Sequence, residues 1–434
     1  MSRKQLLRLG LFQVAAGGVS VLFLGVLNRI MRVEWGLDLF LVTLLLGGGH
    51  YLGALVAIPF GYYSDRHLVA GYRRTAYILG GLIITLVILV ASPWIAQWLA
   101  ASVTVVKGVL AFLLFFLEGI ATYVAGTAYL ALIADRTTDQ ERGQATGLIW
   151  TLLMVGIIAT GVSTGFALRE YSFHGLVLYF GVGAMLALIL GLIALIRQEP
   201  RRAALPAPSE GSLRDALRLV VSSRSSRWFA AFLTLSMFSY FMQDVLLEPF
   251  GGEVFFLSAG ETARFNAYMG VGVISGMLLG GMRLIPRWGK RTITGAGVAM
   301  MAFTFLALAG SGLMGSVQGL PVIITLLGFG AGFFTVGGVA LMMDMTSTQH
   351  TGLFVGAWTL VQAVARGPAS MVGGALHSMA SGLGLTTAQA YGAVFVFEAT
   401  GLLISLVFLQ RVVVAAFRQE VQSFTAIATE SMDF

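Results

Sequence analysis

The sequence predicts an all-α integral membrane protein with twelve transmembrane helices in two pseudo-symmetric six-helix bundles. Three observations carry that expectation. Only 11% of the 434 residues are charged and 57% are hydrophobic, against roughly 25% charged in soluble domains, too few charges to cover a water-facing surface. The apolar residues run in blocks of about 20 or more, the length that crosses a hydrocarbon core of roughly 30 Å as helix. Lipid offers the backbone of such a block no partner but itself, so each block is helical. Finally, one segment of the first half recurs in the second.

Breaks at charged or turn-rich stretches place the spans near 9–30, 39–62, 75–97, 104–133, 144–168, 175–196, 229–250, 263–285, 292–313, 319–343, 352–377 and 389–411. The first block follows Arg3, Lys4 and Arg8 as in a signal peptide, but no small-residue cleavage site follows it, so it is expected to be the first helix. With the N-terminus in the cytoplasm, twenty-one lysines and arginines fall on that face. Only Arg29, Arg32, Lys107, Arg169 and Arg264 fall on the other, and Arg366 alone lies within a span. The positive-inside rule then puts both termini in the cytoplasm. These cations are scattered through short loops and form no stripe, so the net charge of +7 orients the chain and predicts no nucleic-acid partner.

Four regions follow: an N-terminal six-helix bundle over 1–196, a cytoplasmic linker over 197–227, a C-terminal six-helix bundle over 228–412 and a cytoplasmic tail over 413–434. The linker opens with Glu199-Pro200-Arg201-Arg202 and carries an amphipathic stretch from Leu213 to Val221, expected to lie on the membrane surface.

A shift of 209 residues lays Ala131-Leu132-Ile133-Ala134-Asp135 on Ala340-Leu341-Met342-Met343-Asp344 without a gap, and pairs Gly143 with Gly352 and Gly147 with Gly356. Both segments close the fourth span of their half and open the following loop, which in the first half contains Arg142. This is the pattern of parallel repeats related by an axis along the membrane normal.

After span two come Gly61, Asp65, Arg66 and His67, then Gly71, Arg73 and Arg74 as span three begins. This resembles the loop motif of the major facilitator superfamily, and the resemblance implies that superfamily's fold. An aspartate here can bond a helix N-terminus and pair with arginine, latching one face of the molecule. The second half keeps a counterpart, Arg283 to Arg291, without the aspartate.

Small residues recur every four positions as Gly49, Gly53, Ala57 and Gly61, and as Gly272, Gly276 and Gly280. Such stripes allow close helix approach; they are expected to line contacts that slide when the halves move, with static packing as the alternative. Ionisable residues inside spans are costly and suggest function: Glu118, Asp244, Glu248, Arg366 and Glu398. Arg366 is a candidate to neutralise one of these carboxylates, and Glu248, beside Pro249, has an interfacial position as its alternative. The lack of cysteine excludes disulfide and thiolate chemistry. No phosphate loop, zinc-spaced cluster or nucleophile triad is recognisable, so neither an enzyme nor a nucleotide cofactor is expected.

Finer stretches resemble the PucC-like bacteriochlorophyll delivery family of that superfamily. They are Leu11-Phe12-Gln13, Leu27-Asn28-Arg29-Ile30-Met31 and the widened gap between Ser64-Asp65-Arg66-His67 and Gly71-Tyr72-Arg73-Arg74. In the second half they are Met343-Asp344-Met345-Thr346, Gly356-Ala357-Trp358, Gln362-Ala363, Ala365-Arg366-Gly367, Tyr391-Gly392 and Glu398-Ala399. Around Gly49-His50-Tyr51 the chain lacks an arginine that many members place there. The resemblance implies a protein of the bacterial cytoplasmic or intracytoplasmic photosynthetic membrane that binds or delivers (bacterio)chlorophyll to light-harvesting antenna polypeptides, with chlorophyll synthase as a further partner. The pigment's magnesium takes an axial ligand, for which neutral imidazole suits. On that implication His50 is the candidate metal ligand, and Gln362 and Arg366 are candidates for pigment carbonyls. A proton-coupled transporter of a small solute and a membrane scaffold for antenna assembly are the alternatives.

Overall fold

The computed structural model describes residues 3–56, 67–137, 139–201, 224–344 and 351–413. Long helices account for nearly all of them, and the described residues contain no strand beyond a single bridge between Val69 and Tyr72. In the first half, α1 spans Lys4–Glu34, α2 Leu39–Val56, α3 Thr75–Ala101, α4 Val105–Arg136, α5 Asp139–Ala167 and α6 Phe173–Leu195. In the second, α7 runs Arg224–Val245 and, after a 46° bend, Leu247–Phe255; α8 is Ala259–Trp288, α9 Lys290–Met314, α10 Leu320–Asp344, α11 Thr351–Gly382 and α12 Thr387–Gln410. Ten of these are individually long and apolar enough to cross a membrane, and the bent α7 makes an eleventh. α11 has the length at 32 residues, but Arg366, Ser370, His377 and Ser378 make it the more polar helix expected at a bundle interior.

Two hydrophobic cores form. The first is built from α1 to α6 and gains Ala259 and Ala263; the second is built from α7 to α12 and gains Leu39. Each half thus buries its own apolar faces and lends the other only a few side chains.

The glycine stripes lie inside the halves. A methyl on Gly53 would strike the backbone of Gly119 and Ile120 in α4, and one on Gly272 would strike the backbone of Thr325 and Phe329 in α10. α2 against α4 and α8 against α10 are equivalent pairs under the repeat, so Gly49, Gly53, Gly272, Gly276 and Gly280 pack within the halves and not at the sliding contact expected of the stripes; Ala57 and Gly61 lie outside the described residues. Between the halves, Gly47 and Gly48 of α2 face Ser370 and Met371 of α11, and Gly161 of α5 faces Ala263 and Ala267 of α8.

The span expected as one helix over 229–250 is broken. Pro249 has no N–H to return to the carbonyl of Val245, four residues earlier. The chain tightens into a 3₁₀ turn over Met242–Val245 and bends. The released Val245 carbonyl accepts a bond of 2.7 Å from Asn28 Nδ2 of the other half.

At the face holding the N-terminus, Glu199 closes the first half. Its carboxylate accepts from the backbone N–H groups of Arg73, Arg74 and Thr75 and from the Thr75 hydroxyl, at 2.8 to 3.2 Å, capping α3 from outside the helix. Arg74 Nε approaches Asp135 at 3.4 Å, and Lys290 pairs with Asp344 at 2.9 Å. The two repeat aspartates therefore play the same part: each closes the fourth helix of its half and meets a cation at the start of the third. The second half, whose loop motif lacks the aspartate, still forms this pair through Lys290.

Gly61, Asp65 and Arg66 of the loop motif lie outside the described residues, as do the side chains of Arg142 and Gln362, the linker stretch 202–223 and the tail from 414.

Candidate functional site

Polar side chains converge near mid-bundle, where α1, α2, α4, α7, α11 and α12 meet. Gly119 allows α4 to press against the His50 backbone of α2. That approach sets the His50 ring beside Glu118: Nδ1 lies 2.6 Å from Glu118 Oε2. Glu118 is 1% exposed and His50 8%. The other carboxylate oxygen accepts from Thr122 at 2.8 Å, and Thr122 meets Thr85 of α3 at 2.9 Å. Phe23, Tyr51 and Tyr123 enclose the imidazole, with ring centroids 5.1 to 6.1 Å away. With Nδ1 engaged, Nε2 is the nitrogen left to bind anything else. A carboxylate on the distal nitrogen fixes the tautomer and raises the basicity of a metal-ligating histidine.

Beside this pair the halves join. Tyr51 donates to Asp244 Oδ2 at 2.9 Å, and the Gln243 amide donates to Asp244 Oδ1 at 2.6 Å. Arg366 lies over the Phe241 ring, 3.9 Å from its centroid, with Tyr123 nearby. Its charge acts on Asp244. Of the remaining acids, Glu248 is buried rather than interfacial, accepting from Asn266 at 2.6 Å, because the bend of α7 turns it inward against Gly25. Glu398 is fully buried in α12.

A second polar layer joins the halves farther from the N-terminus. Arg32 pairs with Glu253 at 3.0 Å, Tyr391 donates to Glu253 at 2.6 Å, and Ser378 donates to Asp38 at 3.1 Å. Arg29 reaches the Leu257 carbonyl at 2.6 Å while pairing with Glu34.

The structure thus brings His50 to Glu118, sets Arg366 over the Phe241 ring, holds Glu248 against Asn266 and buries Glu398 in α12 on the side of Gln243 and Asp244. Sequence reasoning missed Asn28, Tyr51, Tyr123, Gln243, Glu253 and Asn266. An amide or hydroxyl inside an apolar run is a weaker signal than a charge, and Glu253, though charged, falls just past the span expected to end at 250. Among the described residues no group of three or more His, Asp or Glu forms a metal site.

Two six-helix halves, joined by polar contacts at their centre, define a major facilitator fold, and solved structures agree. The chain superposes on a bacterial homologue of the human lysosomal transporter Spinster in an inward-facing, unoccupied conformation (TM-score 0.68, 16% identity, 98% of this chain and 99% of that one). It matches a bacterial homologue of the iron transporter ferroportin in an inward-facing state (0.69, 14%, 95% and 99%) and the D-xylose-proton symporter (0.67, 15%, 92% and 96%). Within that fold the chain belongs to the family described as PUCC protein, whose model matches residues 26–417. Relatives include the Bacteriochlorophyll synthase 44.5 kDa chain of Rhodobacter capsulatus, 33% identical over 90% of this chain and 91% of that protein. Protein PucC of Cereibacter sphaeroides is 29% identical over 93% and 91%. A protein of Rhodobacter capsulatus named for the puhA-bchM intergenic region is 32% identical over 93% and 88%.

Proposed function

We propose that this bacterial membrane protein is a non-enzymatic assembly factor that holds (bacterio)chlorophyll and passes it to light-harvesting antenna polypeptides, both termini lying in the cytoplasm. The observation that carries the reading is the His50–Glu118 pair, an imidazole oriented by a buried carboxylate inside an aromatic enclosure. The names of relatives, bacteriochlorophyll synthase chain and PucC, point the same way. A magnesium tetrapyrrole with an isoprenoid tail is too apolar for cytosol and suits a lipid-level site between helices. Nε2 of His50 would supply the axial ligand, Arg366 would face a pigment carbonyl, and chlorophyll synthase is a fitting donor. The cation bias between loops supports the orientation.

The test is absorbance of protein extracted in mild detergent from a pigment-producing host. Wild type is expected to carry pigment, His50→Ala to lose or spectrally shift it, and Glu118→Gln to weaken it. Unchanged pigment content and spectrum in His50→Ala would remove the ligand assignment. The Tyr51–Asp244 bond between halves also suits a solute transporter. Gradient-driven uptake of a small solute into proteoliposomes, with no pigment bound, would favour that reading instead.

A further inference from the structure

Where α7 approaches its break it packs against α12, and a set of buried side-chain oxygens there lacks hydrogen-bond partners. Glu398 is 0% exposed and Gln243 and Ser239 are each 1% exposed. Both Glu398 oxygens, Gln243 Oε1 and Ser239 Oγ lack hydrogen-bond partners. These groups belong to one place. Glu398 lies near the Gln243 backbone without a hydrogen bond to it, and Asp244 is near enough for its charge to act there. Ser239, one turn before Gln243, touches the open side of Gly401, one turn beyond Glu398. Neighbouring Ser236 folds back on the Phe232 carbonyl at 2.6 Å, as hydroxyls in helices commonly do, whereas Ser239 does not. The Arg366 guanidinium lies over the Phe241 ring, and neither Glu398 oxygen pairs with it.

A buried carboxylate facing further oxygens is strongly unfavourable unless positive charge joins it. Interrupted membrane helices recurrently place such oxygens around a coupling ion, where side chains and freed backbone carbonyls replace its hydration shell. Hard cations take oxygen ligands; both Asp244 oxygens already accept, from Tyr51 and Gln243, so Glu398 is the one carboxylate left to ligate, and with neutral oxygens it offers too little charge to strip the water from a divalent ion. We propose that the α7 break and the facing turn of α12 form a binding site for sodium, held by the Glu398 carboxylate, the Gln243 amide oxygen and the Ser239 hydroxyl. Filling it ties α12 to the 3₁₀ turn that carries Asp244, so occupancy bears directly on the Tyr51–Asp244 contact between halves. The inference does not depend on the pigment reading, because it concerns other side chains and can be tested on pigment-free protein.

The experiment is thermal unfolding of purified protein in sodium, potassium, lithium or N-methylglucamine chloride at matched ionic strength. Wild type is expected to be stabilised in a saturable way by sodium above the others. Glu398→Gln should abolish that response, and Gln243→Leu should weaken the apparent sodium affinity by about tenfold or more. Identical unfolding in all four salts would overturn the proposal. A pH dependence that Glu398→Gln removes, without any dependence on cation identity, would overturn it in favour of a proton. If Glu398→Gln does not fold, the wild-type salt series and Gln243→Leu decide the matter.

Discussion

His50 and Glu118 show how much a single contact changes a residue's meaning. An imidazole alone in an apolar run is an ambiguous signal; tied at Nδ1 to a carboxylate 2.6 Å away, it presents one nitrogen in a set direction. Asn28 acquires its role in the same way, through a carbonyl 217 residues distant. Replacing Asn28 with leucine is expected to leave the Val245 carbonyl unpaired and to cost about 1–3 kcal/mol, read as a lower unfolding midpoint in mixed micelles. The ionisable residues were legible as candidates because charge stands out in an apolar run. Their partners were not: Tyr51 meets Asp244 across 193 residues, and nothing in either local stretch announces the other. Glu248, a candidate intramembrane charge with an interfacial position as its alternative, is buried against Asn266, a partner that its own stretch of sequence does not announce.

At the scale of helices, α7 bends because Pro249 cannot supply an N–H, and Asn28 takes the carbonyl so freed. These two residues should therefore be energetically coupled. In a double-mutant cycle, Asn28→Ala is expected to cost less in a Pro249→Ala background, with a coupling of about 0.5–3 kcal/mol. Additive effects in unfolding titrations would contradict it. Close helix approach gives a second expectation: Gly53→Leu and Gly272→Leu both force backbones apart inside their halves and should each cost about 1–3 kcal/mol or more, measured by the same titrations. Gly147→Leu, where nothing stands within 4 Å of an added Cβ, is the matched control. The stripes were visible in the sequence as a spacing, but a spacing says only that something approaches closely. Whether it is the neighbour two helices on or the opposite half depends on the packing of whole helices.

The whole molecule is two cores joined by the close approach of α5 to α8 and of α2 to α11 and by a polar seam, with Arg32–Glu253 and Ser378–Asp38 at its far layer and Tyr51–Asp244 at its centre. The duplication was readable from the 209-residue shift, and with it the pairing of Asp135 and Asp344 as equivalent positions. The Lys290–Asp344 pair was not, since the cation sits where the loop motif had decayed. Because the chain has no cysteine, Asp38→Cys with Ser378→Cys introduces a lone thiol pair across the seam. Oxidation is expected to cross-link the halves readily, detected by the mobility of protein cleaved within the linker, and to block any function that requires this face to part. A failure to cross-link would mean that the two residues are not neighbours in the membrane. Independent cores also predict that the halves, co-expressed as 1–210 and 211–434, reassemble into a complex that co-purifies.

Glu199 has a consequence for the order in which this molecule is made. It lies past the sixth helix, yet it caps the third. Chains are synthesised from the N-terminus at about 5–20 residues per second, so the cap of α3 stays open while three further crossings of the lipid, α4 to α6, are being inserted. Only when Glu199 leaves the ribosome can the first bundle be sealed. The carboxylate then acts as a completion mark, closing one bundle at the moment the chain begins to supply the next.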